Sequence, residues 1–109
     1  MTRAPLTILC AEDEVWEGGI HAATLSDGRR LAVYKVGGSC FVSEDTCTHG
    51  KASLSEEGLM DGYFVECTWH SGRFDVRTGE ACAMPCEKSL KVWPVQIIDG
   101  RVNVQLDSE

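Results

Sequence analysis

Apolar residues in this chain gather in short runs: Leu6 to Ala11, Ile20 to Leu25, Leu31 to Val36, Cys40 to Ser43, Tyr63 to Cys67, Val92 to Ile98 and Val102 to Leu106. Their richness in Val, Ile, Leu, Tyr and Phe marks them as strands. The punctuation between them is Asp27-Gly28, Gly37-Gly38, Asp61-Gly62 and Asp99-Gly100. Asp-Gly flanked by alternating apolar residues is a hairpin signal, so the pattern predicts an antiparallel, all-β fold. Only Glu12 to Gly18 offers a helical turn, and no repeat, low-complexity tract or linker divides the chain. At 109 residues there is room for one hydrophobic core, so residues 1–109 are expected to form a single domain.

Between Glu44 and Val92 the strand rhythm loosens, and this stretch holds four of the six cysteines and two of the three histidines. Long irregular segments inside compact domains are usually functional, which places the chemistry in an inserted subdomain at about residues 45–92.

Composition narrows the classes of function. Apolar residues at 43% and charged residues at 25% are those of an ordinary globular protein. A net charge of −7 with ten Lys and Arg argues against a nucleic-acid surface and favours a basic protein partner. No stretch approaches the ~20 apolar residues of a membrane span, and Met1 to Thr7 lacks the apolar run of a secretory signal. The expectation is a cytoplasmic monomer without membrane contact, in which cysteines bind metal or stay reduced.

Spacing selects among those cysteines. Cys47-Thr48-His49 and Cys67-Thr68-Trp69-His70 pair a thiol with an imidazole twice, with residues 50–66 between them. A thiolate and an imidazole within three residues face one metal core only from a tight loop, and Gly50, Ser71 and Gly72 supply the backbone freedom. Each loop would give one sulfur and one nitrogen. Two other chemistries use these residue types. A structural zinc site prefers Cys paired with Cys and His with His, and a catalytic Cys–His pair does not need two copies.

Cys47-Thr48-His49-Gly50 followed by Cys67-Thr68-Trp69-His70-Ser71-Gly72-Arg73-Phe74 resembles the two cluster loops of Rieske proteins. Phe74 to Gly79, Pro85, and Leu90-Lys91-Val92-Trp93-Pro94-Val95 are similar to the region after the second loop in Rieske ferredoxins of aromatic-ring dioxygenases. The resemblance implies a Rieske fold of antiparallel β-sandwich-like sheets with an inserted cluster-binding subdomain. It also implies one [2Fe–2S] cluster, with Cys47 and Cys67 on an inner iron and His49 and His70 on an outer iron near the surface. Two thiolates rather than four leave the oxidised site neutral, so it accepts an electron more readily.

Respiratory Rieske subunits, as a family, place a disulfide between the cluster loops and hydroxyls two and four residues after the second histidine. This chain has Ala52 and Trp69 at the disulfide positions, and Gly72 and Phe74 at the hydroxyl positions. Fewer hydrogen bonds to the sulfurs imply a potential toward the low end of the Rieske range, about −150 to +300 mV. Such a site suits a soluble ferredoxin that carries single electrons from a flavin-containing NAD(P)H reductase to a terminal oxygenase. The alternative is a small Rieske subunit of another redox complex, such as an assimilatory nitrite reductase. The chain itself is not expected to be the oxygenase: with His49 and His70 used, only His21 remains, and a mononuclear iron needs two histidines and a carboxylate.

The remaining notable residues draw modest expectations. Cys10 and Cys40 lie in apolar strands and should pack in the core, and His21 should be a surface or hydrogen-bonded strand residue. Cys82 and Cys86 form a C-x₃-C without further ligands and receive no ligand role. By resemblance, Pro85 shields the cluster, and Trp69 is either packed over the loop or part of a docking surface. Glu44, Asp45, Glu56, Glu57 and Asp61 read as a solvated acidic zone able to steer a basic partner.

Overall fold

Strand β3 (Arg30–Val36) is apolar on both of its faces, and the architecture follows from that. Leu31 and Val33 pack into one core, Ala32 and Tyr34 into another, and all four are at most 2% exposed. Period-two alternation sends successive side chains to opposite faces, so a strand apolar at every position must be covered twice. The computed structural model describes residues 6–46, 52–68, 72–83 and 89–105, and two further sheets supply the covers.

The central sheet has the order β2 (Ile20–Thr24), β3, β4 (Ser39–Glu44), β9 (Val92–Trp93), antiparallel throughout. Its Leu31 face is closed by β1 (Leu6–Ala11), β11 (Arg101–Gln105) and β10 (Val95–Ile98), in that order. Val15, Val42, Val102 and Val104 fill the space between. Burying each such side chain contributes about 1.5–3 kcal/mol.

The strand expected over Val92 to Ile98 is in fact two. Residues 92–93 pair with β4, residues 95–98 pair with β11, and Pro94, which has no N–H to donate, marks the change of sheet. The β10–β11 hairpin turns on Asp99 (φ 52°) and Gly100 (φ 73°), the two positive-φ positions of a primed turn.

The Tyr34 face is covered by a third sheet, β5 (Gly58–Asp61), β6 (Phe64–Cys67), β7 (Gly72–Asp75) and β8 (Ala81–Ala83), with a single helical turn, α1 (Leu54–Glu57). Leu54, Val65, Cys67, Phe74 and Val76 pack with Tyr34. Tyr34 donates its hydroxyl proton to Ser43 Oγ at 2.7 Å, because the Ser43 proton already goes to the Glu44 carbonyl at 2.8 Å. The loosened stretch of the sequence therefore carries four short strands among its described residues, each of four residues or fewer. The helical turn expected at Glu12 to Gly18 is a shorter 3₁₀ turn, Glu12–Glu14, and α1 was not anticipated. Among the described residues no helix is long and apolar enough to cross a membrane.

Candidate metal centre

Strand β4 delivers the chain to Asp45 and Thr46, and the described residues resume at Ala52. Thr46 and Ser53 form an antiparallel bridge, which brings the two ends of the described chain together on either side of the first ligand motif. Asp45 makes that closure. Its carboxylate accepts a hydrogen bond from Ser53 Oγ at 2.6 Å and from the Ser55 N–H at 2.8 Å, and its carbonyl accepts the Leu54 N–H at 2.7 Å. An isolated four-residue helix cannot sustain itself in water, and its first N–H groups need external acceptors. Asp45 supplies two of them, with a carboxylate at the positive end of the helix dipole.

Asp45 departs from the expected solvated acidic zone, whereas Glu56, Glu57 and Asp61 are exposed as that reading has it. Asp45 is 2% exposed, with Arg30 Nε 3.8 Å from its carboxylate. Glu56 accepts from Arg30 at 3.1 Å, Asp61 from Arg73 at 2.8 Å, and Glu44 from the Lys91 N–H at 2.7 Å. Of the five, Glu57 alone has a side chain with no hydrogen bond or ion pair among the described residues. The pattern Ser53-Leu54-Ser55-Glu56 is a recognisable helix start, but no local signal ties it to an aspartate eight residues earlier.

The second loop is the tip of the β6–β7 hairpin. Cys67 pairs with Gly72 across it and with Gly58 on the other side. Cys67 is fully buried at the end of β6, in the core that holds Val65 and Phe74. The next residue, Thr68, donates from Oγ1 to the Glu57 carbonyl at 2.6 Å and so ties this loop to the end of α1. Gly58 permits the close approach: a Cβ there would meet the Leu54 carbonyl and Val65 Cγ2. The bases of the two loops are thus linked through α1, with Ser53 before its first residue and Thr68 bonded to its last.

Of the four expected ligands, Cys67 lies in the described structure, while Cys47, His49 and His70 lie outside the described residues, as do Trp69, Pro85 and Cys86. Cys82 is exposed, with its thiol 3.3 Å from the Glu80 carbonyl. Cys10 and Cys40 are buried as expected, and His21 is half-buried on β2.

At the opposite end of the β6–β7 hairpin, the Asp75 carboxylate takes Arg77 Nε at 3.0 Å and the terminal guanidinium nitrogen at 2.9 Å. The guanidinium lies 4.2 Å above the Tyr63 ring. Hydrogen bonds from Arg77 hold the Asp75 carboxyl below its ordinary value near 3.8. Gly79, at φ +84°, then receives the Leu90 N–H on its carbonyl at 2.7 Å, and a side chain there would strike the Leu90 carbonyl. These contacts fix both the entry to and the exit from the segment that carries the loops.

The model of the Rieske [2Fe–2S] domain matches residues 6–94. The chain belongs to the Rieske [2Fe–2S] family. It is 55% identical over 98 residues to the ferredoxin component of the p-cumate 2,3-dioxygenase system of Pseudomonas putida, covering 90% of this chain and 83% of that one. Among solved structures, the ferredoxin of Sphingomonas yanoikuyae B1 superposes with a TM-score of 0.89 at 40% identity, covering 94% of this chain and all of that one. A complex of reduced oxygenase and oxidised ferredoxin in carbazole 1,9a-dioxygenase gives a TM-score of 0.85 at 41% identity, covering 92% of each chain.

One Rieske [2Fe–2S] cluster is therefore the cofactor. The described residues fit it. A buried thiol ends β6, and the described residues flanking the two ligand motifs are clamped by the Thr46–Ser53 bridge, the Cys67–Gly72 pair and the Thr68–Glu57 hydrogen bond. Behind them Phe74 and Val65 keep water from the protein side of the site.

Proposed function

We propose that Cys47, His49, Cys67 and His70 hold the cluster, with the two histidines toward solvent, inside a subdomain spanning about residues 45–92 of a single-domain chain. The observation that carries this reading is the convergence of the two loop bases through Asp45, α1 and the Thr68–Glu57 hydrogen bond. A Rieske cluster supplies reversible one-electron transfer. The chain's own residues bind it, and Phe74 and Val65, buried beside Cys67, exclude water behind it.

The chain acts as a ferredoxin, passing single electrons from a flavin-containing reductase to the terminal oxygenase of an aromatic-ring dioxygenase system, and turns over no substrate of its own. The relatives named as ferredoxin components of such systems support this role, as does the relative found in complex with its oxygenase. Gly72 has no side chain and Phe74 no hydroxyl, which supports a potential near the low end of the Rieske range, about −150 mV. We place the protein in the cytoplasm as a monomer.

The test is reduction of the purified, iron-replete protein. NADH should bleach its visible spectrum only when a flavin reductase is added, and the reduced form should show a mixed-ligand paramagnetic signal. Rapid bleaching by NADH alone would overturn the carrier role, and a colourless protein without labile sulfide would overturn the ligand set.

A further inference from the structure

On the face of the central sheet away from Cys67, three metal-ligating side chains converge that the electron-transfer reading does not use. Cys10 Sγ, a Glu14 carboxylate oxygen and a His21 ring nitrogen all lie within 4.8 Å of one another. Cys10 reaches this point because β1 is irregular. Ile8 pairs with Asn103 and Cys10 with Val102, leaving Leu9 without a partner on β11. Such a bulge re-aims the side chain that follows it, and Leu9 and Cys10 both pack inwards. His21 sits directly opposite Val33 in the β2–β3 ladder, so it shares the face of Val33, in the core that also holds Cys10. Glu14 ends the 3₁₀ turn and is oriented by the Ala11 N–H, which donates to its Oε1 at 2.7 Å and leaves Oε2 available.

We propose that Cys10, Glu14 and His21 form a binding site for a thiophilic divalent cation of the zinc class, separate from the iron–sulfur centre. Donor chemistry favours this class, since thiolate and imidazole select zinc over magnesium or calcium. Ligands at about 2.0–2.3 Å from zinc stand roughly 3.5 Å apart in a tetrahedron, so donors within 4.8 Å need only small side-chain shifts. Glu14 is exposed and His21 half-buried, which leaves both free to make them. The carboxylate is already hydrogen-bonded on its other oxygen, as orienting partners of metal ligands usually are. Neither the thiol nor the imidazole has a hydrogen-bond partner among the described residues, and Cys10 is in no disulfide. Coordination sends the thiol proton to solvent, and the fourth position stays open to water. A bound cation would clasp β1 and the 3₁₀ turn to β2, joining the two sheets of the sandwich.

The test loads the holoprotein, with its cluster intact, with zinc alone, and counts zinc and iron in the same sample after gel filtration. We expect a single zinc ion per chain with iron and the visible spectrum unchanged, and a higher melting temperature. His21→Ala and Cys10→Ala should retain no zinc and show no zinc-dependent rise in melting temperature, with the same iron content. If Cys10→Ala fails to fold, His21→Ala decides, since its side chain is only half-buried. Three results would each overturn the site: a fully iron-loaded wild-type protein that keeps no zinc, zinc gained only as iron is lost, or His21→Ala holding as much zinc as wild type.

Discussion

The two faces of β3 are held by different physics. Toward β1, β10 and β11, the contacts are interlocking aliphatic side chains on long ladders: Leu31, Val33, Val42, Val102 and Val104. Toward the cluster loops, strands of four residues or fewer and a one-turn helix are held in place by Asp45, Thr68, and the Asp75–Arg77 pair. The first face gives stability that any apolar neighbour of similar shape can supply. The second gives position, because a hydrogen bond fixes direction as well as distance.

The largest contrast comes from one truncation on each face. Cys67→Ser should abolish cluster assembly, leaving a colourless chain with little iron. Leu31→Ala, at a residue 2% exposed, should lower unfolding stability by about 2–5 kcal/mol yet leave iron content and visible spectrum intact. Denaturant midpoints and iron counts on both variants decide it. A Cys67→Ser protein with normal colour would remove the ligand assignment.

Asp45→Ala sharpens the contrast. It leaves Ser53 Oγ and the Ser55 N–H without their carboxylate acceptor, a loss of about 1–3 kcal/mol. The effect should be concentrated on the loop, so cluster bleaching in air should accelerate far more than in Leu31→Ala. Equal bleaching rates at matched global stability would show that Asp45 does no more than stabilise.

The same division explains what was legible in the sequence. On the sandwich face, alternation and Asp-Gly turns located β2, β3, β4 and the Asp99-Gly100 hairpin closely, because long ladders leave a periodic trace. The run from Val92 misled, since continuity of apolar residues says nothing of which sheet each half joins; Pro94 was the available signal. Among the cluster loops, residue chemistry at fixed spacing pointed to the family that the comparisons show, while β5, β7, β8 and α1 went unseen. Strands this short carry too few residues for a period, and the bonds that hold them join residues far apart in sequence, as Thr68 joins Glu57. Asp45 was assigned to solvent for that reason.

Acid should act on the clamped face first. The Asp75 carboxyl titrates below its ordinary value near 3.8 because Arg77 donates to it. A carboxyl depressed in the folded state stabilises the fold fully above its unfolded value, and that contribution is lost as pH falls through the folded value. Between about pH 5 and pH 3, wild type should therefore lose stability more steeply than Asp75→Asn, which starts lower and lacks this dependence. Parallel urea midpoints for the two across that range would sink the assignment.

The smallest effect belongs to the acidic residue left without a partner. Glu57 is exposed at the end of α1, and its backbone carbonyl, not its carboxylate, holds Thr68. Glu57→Gln should thus change stability by less than about 0.5 kcal/mol. If its charge steers a basic oxygenase or reductase surface, the variant should slow electron delivery at low ionic strength. The difference should fade near 0.15 M salt, where the screening length falls to about 8 Å. A rate deficit that persists at high salt would mean that Glu57 acts by contact in the docked complex rather than by long-range attraction. No deficit at any salt would return the residue to the solvated surface, and the carrier's approach to its partners would then rest on the other face charges already tied up by Arg30 and Arg73.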